Sequence, residues 1–398
     1  VQILSSNLVQ NPSFSEEGAE EVSNGSFSQE GVQLVTNGDF SSDTNWVKQA
    51  GWSISGGTAN CDGSQNLPES VYQNGVTVVG KTYKITYTLV SITSGTVRAV
   101  AGTLGGAFQS TIGTHTEYLT ATSNTAIQIQ ASSSFIGSID NVSCVEVGQD
   151  WEFNSTAILT ANGMNITTGG YIRQDVVTIG KSYKLTYDIV SYTSGDIRVY
   201  DGTSQGSIPT SVGSNTFNFT AGGSVFFIQS NSASVNLVIT NISVKEVGQN
   251  WVLGSGWSIG ENKALYNGVS EPYLYSLSPV NIAVGDKLKI NFVLDSNAKL
   301  RFVNENGSRF SGTWVSYASG THEVYLTSSI VATQIGVQAD TDNGAFGITN
   351  ISILEITDDT SLPRINYEGF SYQDALGSEL VVNGDFDSDT AWSKGANT

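Results

Sequence analysis

Apolar and polar residues alternate one for one from Thr82 to Leu89. Tyr83, Ile85, Tyr87 and Leu89 fall on one side of a strand, and Thr82, Lys84, Thr86 and Thr88 on the other. The pattern returns a hundred positions later, with Tyr183, Leu185, Tyr187 and Ile189 opposite Ser182, Lys184, Thr186 and Asp188. A diverged third copy opens at Gly285 and aligns Leu288, Ile290, Phe292 and Leu294. A period of two buries one face of a sheet and leaves the other in water. Gly95 and Gly195 then mark a turn before a shorter strand carrying Val97 and Ala99, or Ile197 and Val199, inward. No stretch has helical periodicity. The closing strands recur as well: DNVSCVEVGQDW ends at Trp151, TNISVKEVGQNW at Trp251 and TNISILEIT at Thr357.

A repeat this long is a string of whole domains, not a solenoid. Short alternating strands between Gly, Asn and Ser turns predict an all-β chain of tandem β-sandwiches, placed at 34–147, 148–247 and 248–356. The junctions are only Val147–Gln149 and Val247–Gln249, which predicts a semi-rigid rod. Each unit opens on a tryptophan: Trp46 and Trp52 are six apart, as are Trp251 and Trp257, whereas Ala157 follows Trp151. These rings either close the end of a sandwich or offer a stacking surface to a sugar, so Trp52 and Trp257 are candidate ligand residues.

Ahead of the sandwiches, Phe14, Phe27 and Phe40 are spaced by thirteen within NPSF, NGSF and NGDF. One such block cannot bury its own phenylalanine. Residues 1–33 therefore read as a β shaft segment in which identical chains supply the partners, giving a homotrimer with Glu16–Glu17 and Glu20–Glu21 facing solvent. The alternative is a flexible acidic linker. Residues 357–379 read as a linker, and 380–398 as the start of a fourth, truncated unit that continues past Thr398.

Only 13% of the 398 residues are charged, Gly numbers 43, and the net charge is −19. A balance this acidic argues against nucleic acid and anionic membranes as partners, since both call for Lys/Arg patches. No apolar run reaches the length of a spanning helix, so no membrane insertion is expected. Cys61 and Cys144 are read as buried thiols, with a disulfide as the alternative. The two histidines, His115 and His322, occupy one strand position in two repeats and have no companion at metal spacing. Without a nucleophile elbow, a phosphate loop or a recurring acid pair, the chain is not expected to be an enzyme. One polar feature recurs: Arg98, Arg198 and Arg301 occupy matching sites facing away from the apolar residues of the second clear strand. They are either a solvated face or the arginines of a glycan-binding sheet.

The run LVTNGDF, a following Trp, GKTYKITY and the closing IDNVSCVEV resemble the jelly-roll, galactose-binding-like carbohydrate-binding modules, best over residues 34–147. That resemblance implies a jelly-roll sandwich and, in the first unit, a structural calcium held by Asp39 and Asp140. The second and third units have Thr240 and Thr349 at the latter position. No other cofactor is expected. Tandem NGDF units behind thirteen-residue blocks, with SLPRINYEG, are similar to bacteriophage tail- and head-fibre proteins. This likeness implies a virion fibre beside other virion proteins, adsorbing to host cell-surface polysaccharide. A bacterial surface adhesin, the accessory region of a secreted glycan-degrading enzyme, and a virion decoration without ligand remain the alternatives.

Overall fold

A computed structural model describes residues 3–123, 126–269, 273–310 and 313–357. The segments read as linker and fourth unit lie outside the described residues. All regular elements among the described residues are strands, arranged as jelly-roll sandwiches. The chain divides into two compact units. Among the described residues, one holds Phe14–Gln249 with Ser258–Ala264, and the other 3–13, Asn250–Trp257 and 265–357.

The first unit contains two sandwiches of the same plan. In one, a five-stranded sheet runs Leu104–Gly105, Val97–Ala101, Ile127–Ala131, Glu69–Gln73, Val47–Lys48. It faces a sheet ordered Gly113–Thr120, Thr82–Ser94, Ile136–Val147, Thr58–Asp62, Trp52–Ser55. The next repeats this as Glu152–Phe153, Tyr171–Gln174, Phe226–Ser230, Ile197–Tyr200, Ser204–Ile208 against Ala157–Thr160, Gly163–Thr167, Asn236–Val247, Ser182–Ser194, Gly213–Thr220. Val145 and Val147 of the first closing strand join the second core, which ties these two sandwiches together. The other unit has a five-stranded sheet Trp251–Leu253, Tyr273–Ser276, Ile335–Ala339, Ala298–Asn304, Val315–Tyr317, and a second sheet built on Phe346–Thr357, Lys287–Leu294 and Gly320–Thr327.

The alternation sets the register. Tyr83, Ile85, Tyr87 and Leu89, and their counterparts in the other two copies, are all buried. Lys84, Lys184 and Lys289 lie on the opposite face, each against a carboxylate: Glu30, Glu17 and Glu323. Asn141, Asn241 and Asn350 have φ of 50°, 51° and 53°, and the ladder slips at this point in each closing strand. Asn tolerates the left-handed region better than most residues, so the recurring DNV and TNI triplets are bulge sequences.

Residues 1–33 are not a separate shaft. Glu30–Gln33 pairs with closing strand Ile136–Val147, Glu17–Glu20 with Asn236–Val247, and Ile3–Leu4 with Phe346–Thr357. The blocks therefore join the sandwiches in reverse order, the earliest block with the last sandwich. Phe14, Phe27 and Phe40 are 1%, 4% and 1% exposed. Phe27 lies 5.2 Å from Trp151, and Phe40 lies 5.1 Å from Trp46.

Several positions of the thirteen-residue period recur with the same partner in each block. Gln33, Glu20 and Asn7 each accept two backbone N–H groups with one side-chain oxygen. One donor sits two residues on, at Val35, Val22 or Val9; the other is in the closing strand, at Cys144, Val244 or Ile353. Those valines are buried. The indole N–H of Trp46, Trp151 and Trp251 donates to the carbonyl of Asn37, Asn24 and Asn11 at 2.9, 3.0 and 3.1 Å. Gly38 and Gly25 accept from Val142 and Ile242, and a Cβ at either glycine would stand 2.0 or 1.9 Å from a carbonyl oxygen. Pro12, in the first block, accepts from Ile351.

Two readings are corrected by this arrangement. The blocks are neither a shaft awaiting identical chains nor a flexible linker, because the partners they need are the chain's own closing strands. Burial of Phe14 and Phe27 removes the premise from which the homotrimer was drawn. The acidic pairs do lie at the surface, with Glu16, Glu17 and Glu20 exposed and Glu21 half-buried, and two of them also bond to the sandwich: Glu17 bridges Lys184 and Lys245, and Glu20 accepts from the Val244 amide.

Candidate functional site

The outward face of each five-stranded sheet carries an arginine and a glutamine directly across from one another. Arg98 pairs with Gln130, Arg198 with Gln229, and Arg301 with Gln338. In each pair the guanidinium docks on the glutamine oxygen. Arg98 donates to it from Nε at 2.9 Å and Nη2 at 2.8 Å. With the Gln229 oxygen turned toward Arg198, it accepts from Nε at 2.8 Å and Nη2 at 2.7 Å. Arg301 Nε donates to Gln338 at 2.5 Å.

An aromatic ring lies against every one of these guanidiniums, and each comes from a different place in the repeat. Phe108 follows the edge strand and lies 4.3 Å from Arg98; Tyr200 is two residues beyond Arg198 at 5.5 Å; Trp314 precedes the edge strand and sits 3.9 Å from Arg301. Cation–π attraction and the glutamine fork together hold each guanidinium in one orientation. Gly105 makes room for the first, since a Cβ there would fall 2.5 Å from Arg98 Cζ.

The second sandwich has the richest face. Tyr171 and Tyr200 meet Phe227 edge-on at 5.6 and 5.7 Å, and all three rings are half-exposed. Arg173 lies over Phe227 at 5.4 Å and is ion-paired with Glu152. The first face is sparser, with Tyr72 and Gln128 in register beside Val100 and Phe108 exposed. In the third, Tyr273 and Tyr275 stack at 5.3 Å, and burial pushes the Tyr275 hydroxyl up to about 12. Here Arg301 itself is buried beneath Trp314. Half-exposed rings bounded by fixed N–H donors and amide groups suit a ligand with an apolar flat side and a polar rim, which describes a pyranose.

Trp52 and Trp257 are not ligand platforms. They are 7% and 5% exposed; Trp52 donates to the Glu69 carbonyl and lies 6.1 Å from Phe135, while Trp257 lies 5.5 Å from Phe346. They close the cores, the structural alternative for such residues. Asp39 is exposed and caps Ser41; Asp140 is half-buried and accepts from the Asn141 amide at 2.6 Å. Among the described residues no three acidic, His or Cys side chains converge as a metal site, here or elsewhere. Cys61 and Cys144 are free and buried, and desolvation pushes the Cys144 thiol up to about 12. His115 and His322 each bond a carbonyl four residues back, Thr111 and Ala318, which explains their shared position.

No protein-family model matches the chain, and no curated protein matches it. Among solved structures it is similar to the tandem CBM22 modules of Xyn10C from Paenibacillus barcinonensis, at 10% identity over 53% of this chain and 94% of that one, with a TM-score of 0.21. It is also similar to a chain of Sulfolobus turreted icosahedral virus (13% identity, 78% and 90% covered, TM-score 0.22). A third similar structure is a fucolectin from striped bass, Morone saxatilis, serum (11%, 52% and 97%, 0.19). No described helix is long and apolar enough to cross a membrane.

Proposed function

We propose that this chain is a carbohydrate-binding protein whose tandem sandwiches present their five-stranded faces to cell-surface polysaccharide. The observation that carries the reading is the arginine–glutamine–aromatic constellation at one register of all three faces. A solvated face would have no reason to fix an arginine against both a neutral amide and a ring in every copy. The NGDF openings and thirteen-residue blocks, similar to those of bacteriophage fibres, support placement on a virion, where several weak faces on one particle add through avidity. Other virion proteins and further copies of the chain are the partners this placement implies.

The test is affinity electrophoresis and calorimetry of the whole chain against host surface polysaccharides, compared with a Tyr200→Ala/Phe227→Ala variant. Binding by the parent and its loss in a variant that still melts cooperatively support the reading. A folded parent that binds none of them leaves a virion decoration without ligand.

A further inference from the structure

We infer that the sugar read by the first two faces is anionic, carrying a carboxylate or a phosphate; this rests on the carbohydrate reading above. The chain holds 36 acidic residues against 17 Lys and Arg. At least ten described Lys and Arg side chains lie within 4.0 Å of a carboxylate. Arg98 and Arg198 depart from that pattern. Neither has a carboxylate within bridging distance among the described residues, and each instead rests on a glutamine oxygen and a ring.

The geometry of that docking leaves a particular edge open. In both residues the glutamine oxygen takes the Nε–Nη2 side of the guanidinium. The Nη1–Nη2 end keeps its two parallel N–H groups. Its one contact in Arg198 is a long 3.4 Å approach of Nη1 to Ser204 Oγ. Two parallel N–H groups match the two oxygens of a carboxylate or phosphate, and such charge-assisted forks are stronger than bonds to a hydroxyl. A neutral sugar hydroxyl needs no permanent charge. A glutamine partner orients the guanidinium without neutralising it, so the charge stays available to the ligand.

The experiment prints acidic bacterial polysaccharides beside their carboxyl-reduced derivatives, and a polyglycerol-phosphate teichoic polymer beside neutral glucan, and titrates the whole chain onto each. The anionic member of a pair should bind at least about tenfold tighter, and its advantage should shrink as salt rises. Arg98→Gln and Arg198→Gln, checked for unchanged melting temperature, should make the paired polymers equivalent, with Arg198→Lys keeping part of the preference. Equal binding of charged and neutral members, unmoved by either substitution, overturns the anionic assignment and leaves carbohydrate binding intact. No binding to any polymer overturns both.

Discussion

The two sides of each sandwich repeat in different ways. Where the N-terminal blocks meet the closing strands, the residues themselves recur: a Phe, an Asn carbonyl bonded by an indole, and a buried Val. On the five-stranded faces the arginine and glutamine recur, while the ring changes identity and origin, from Phe108 to Tyr200 to Trp314. Fixed residues at fixed positions mark an architectural joint, because one packing arrangement must be rebuilt in every copy. A fixed polar frame with variable rings is the pattern expected of a surface tuned copy by copy to a ligand, as the proposed function requires.

The largest test of this contrast removes a residue from each side. Phe27→Ala should cost about 3–5 kcal/mol, as for a buried ring deleted from a packed core, whereas Phe227→Ala on the open face should cost far less. Urea denaturation of both variants measures the difference. Equal costs would show that the joint is no more structural than the face. This is also where the shaft reading and the present one part most clearly, since a shaft would release intact sandwiches when Phe27 is lost.

A smaller effect sharpens the face. Gly105→Ala places a methyl where Arg98 lies and should lever the guanidinium off Gln130. Polysaccharide binding by the first face should weaken several-fold while the free energy of unfolding changes by less than about 0.5 kcal/mol, as for a surface change. Unchanged binding would remove Arg98 from the site.

The smallest concerns pH at the joint. Hydrogen bonds from Lys184, then Lys245, hold the Glu17 carboxyl below the usual glutamate range. A depressed folded-state value means this contribution is present above the unfolded value of about 4.3 and fades as pH falls through the lower folded one. Stability of the parent should therefore drop below pH 4 a little more steeply than that of Glu17→Gln. Identical acid limbs of the stability curve would show that the bridge is too solvated to matter.

Much of the sandwich was legible in the chain because period-two alternation fixes which side chains face inward, as Tyr83 and Tyr187 do. The arginine register was legible for the same reason. The partners of the thirteen-residue blocks were not. Pairing Glu17 with Val247 spans most of the sequence, and no local pattern specifies a contact that distant. The glutamines had a readable signal that went unused: each is the fourth residue of a strand, in IQIQA, FFIQS and IGVQA. Trp52 and Trp257 were misleading because an indole serves equally as a core residue and as a sugar platform, and only burial separates the two roles.

Hydrogen exchange of residues 3–36 in the whole chain tests the central claim, that the blocks are structural strands of the sandwiches, most directly. The Val22 and Val244 amides share the Glu20 carboxylate, and those of Val9 and Ile353 share the Asn7 side chain. Each pair should exchange together, on the slow timescale of the closing strand to which it belongs. Exchange of the block amides within seconds, beside protected closing strands, would contradict the account and return the first thirty-odd residues to a loose linker.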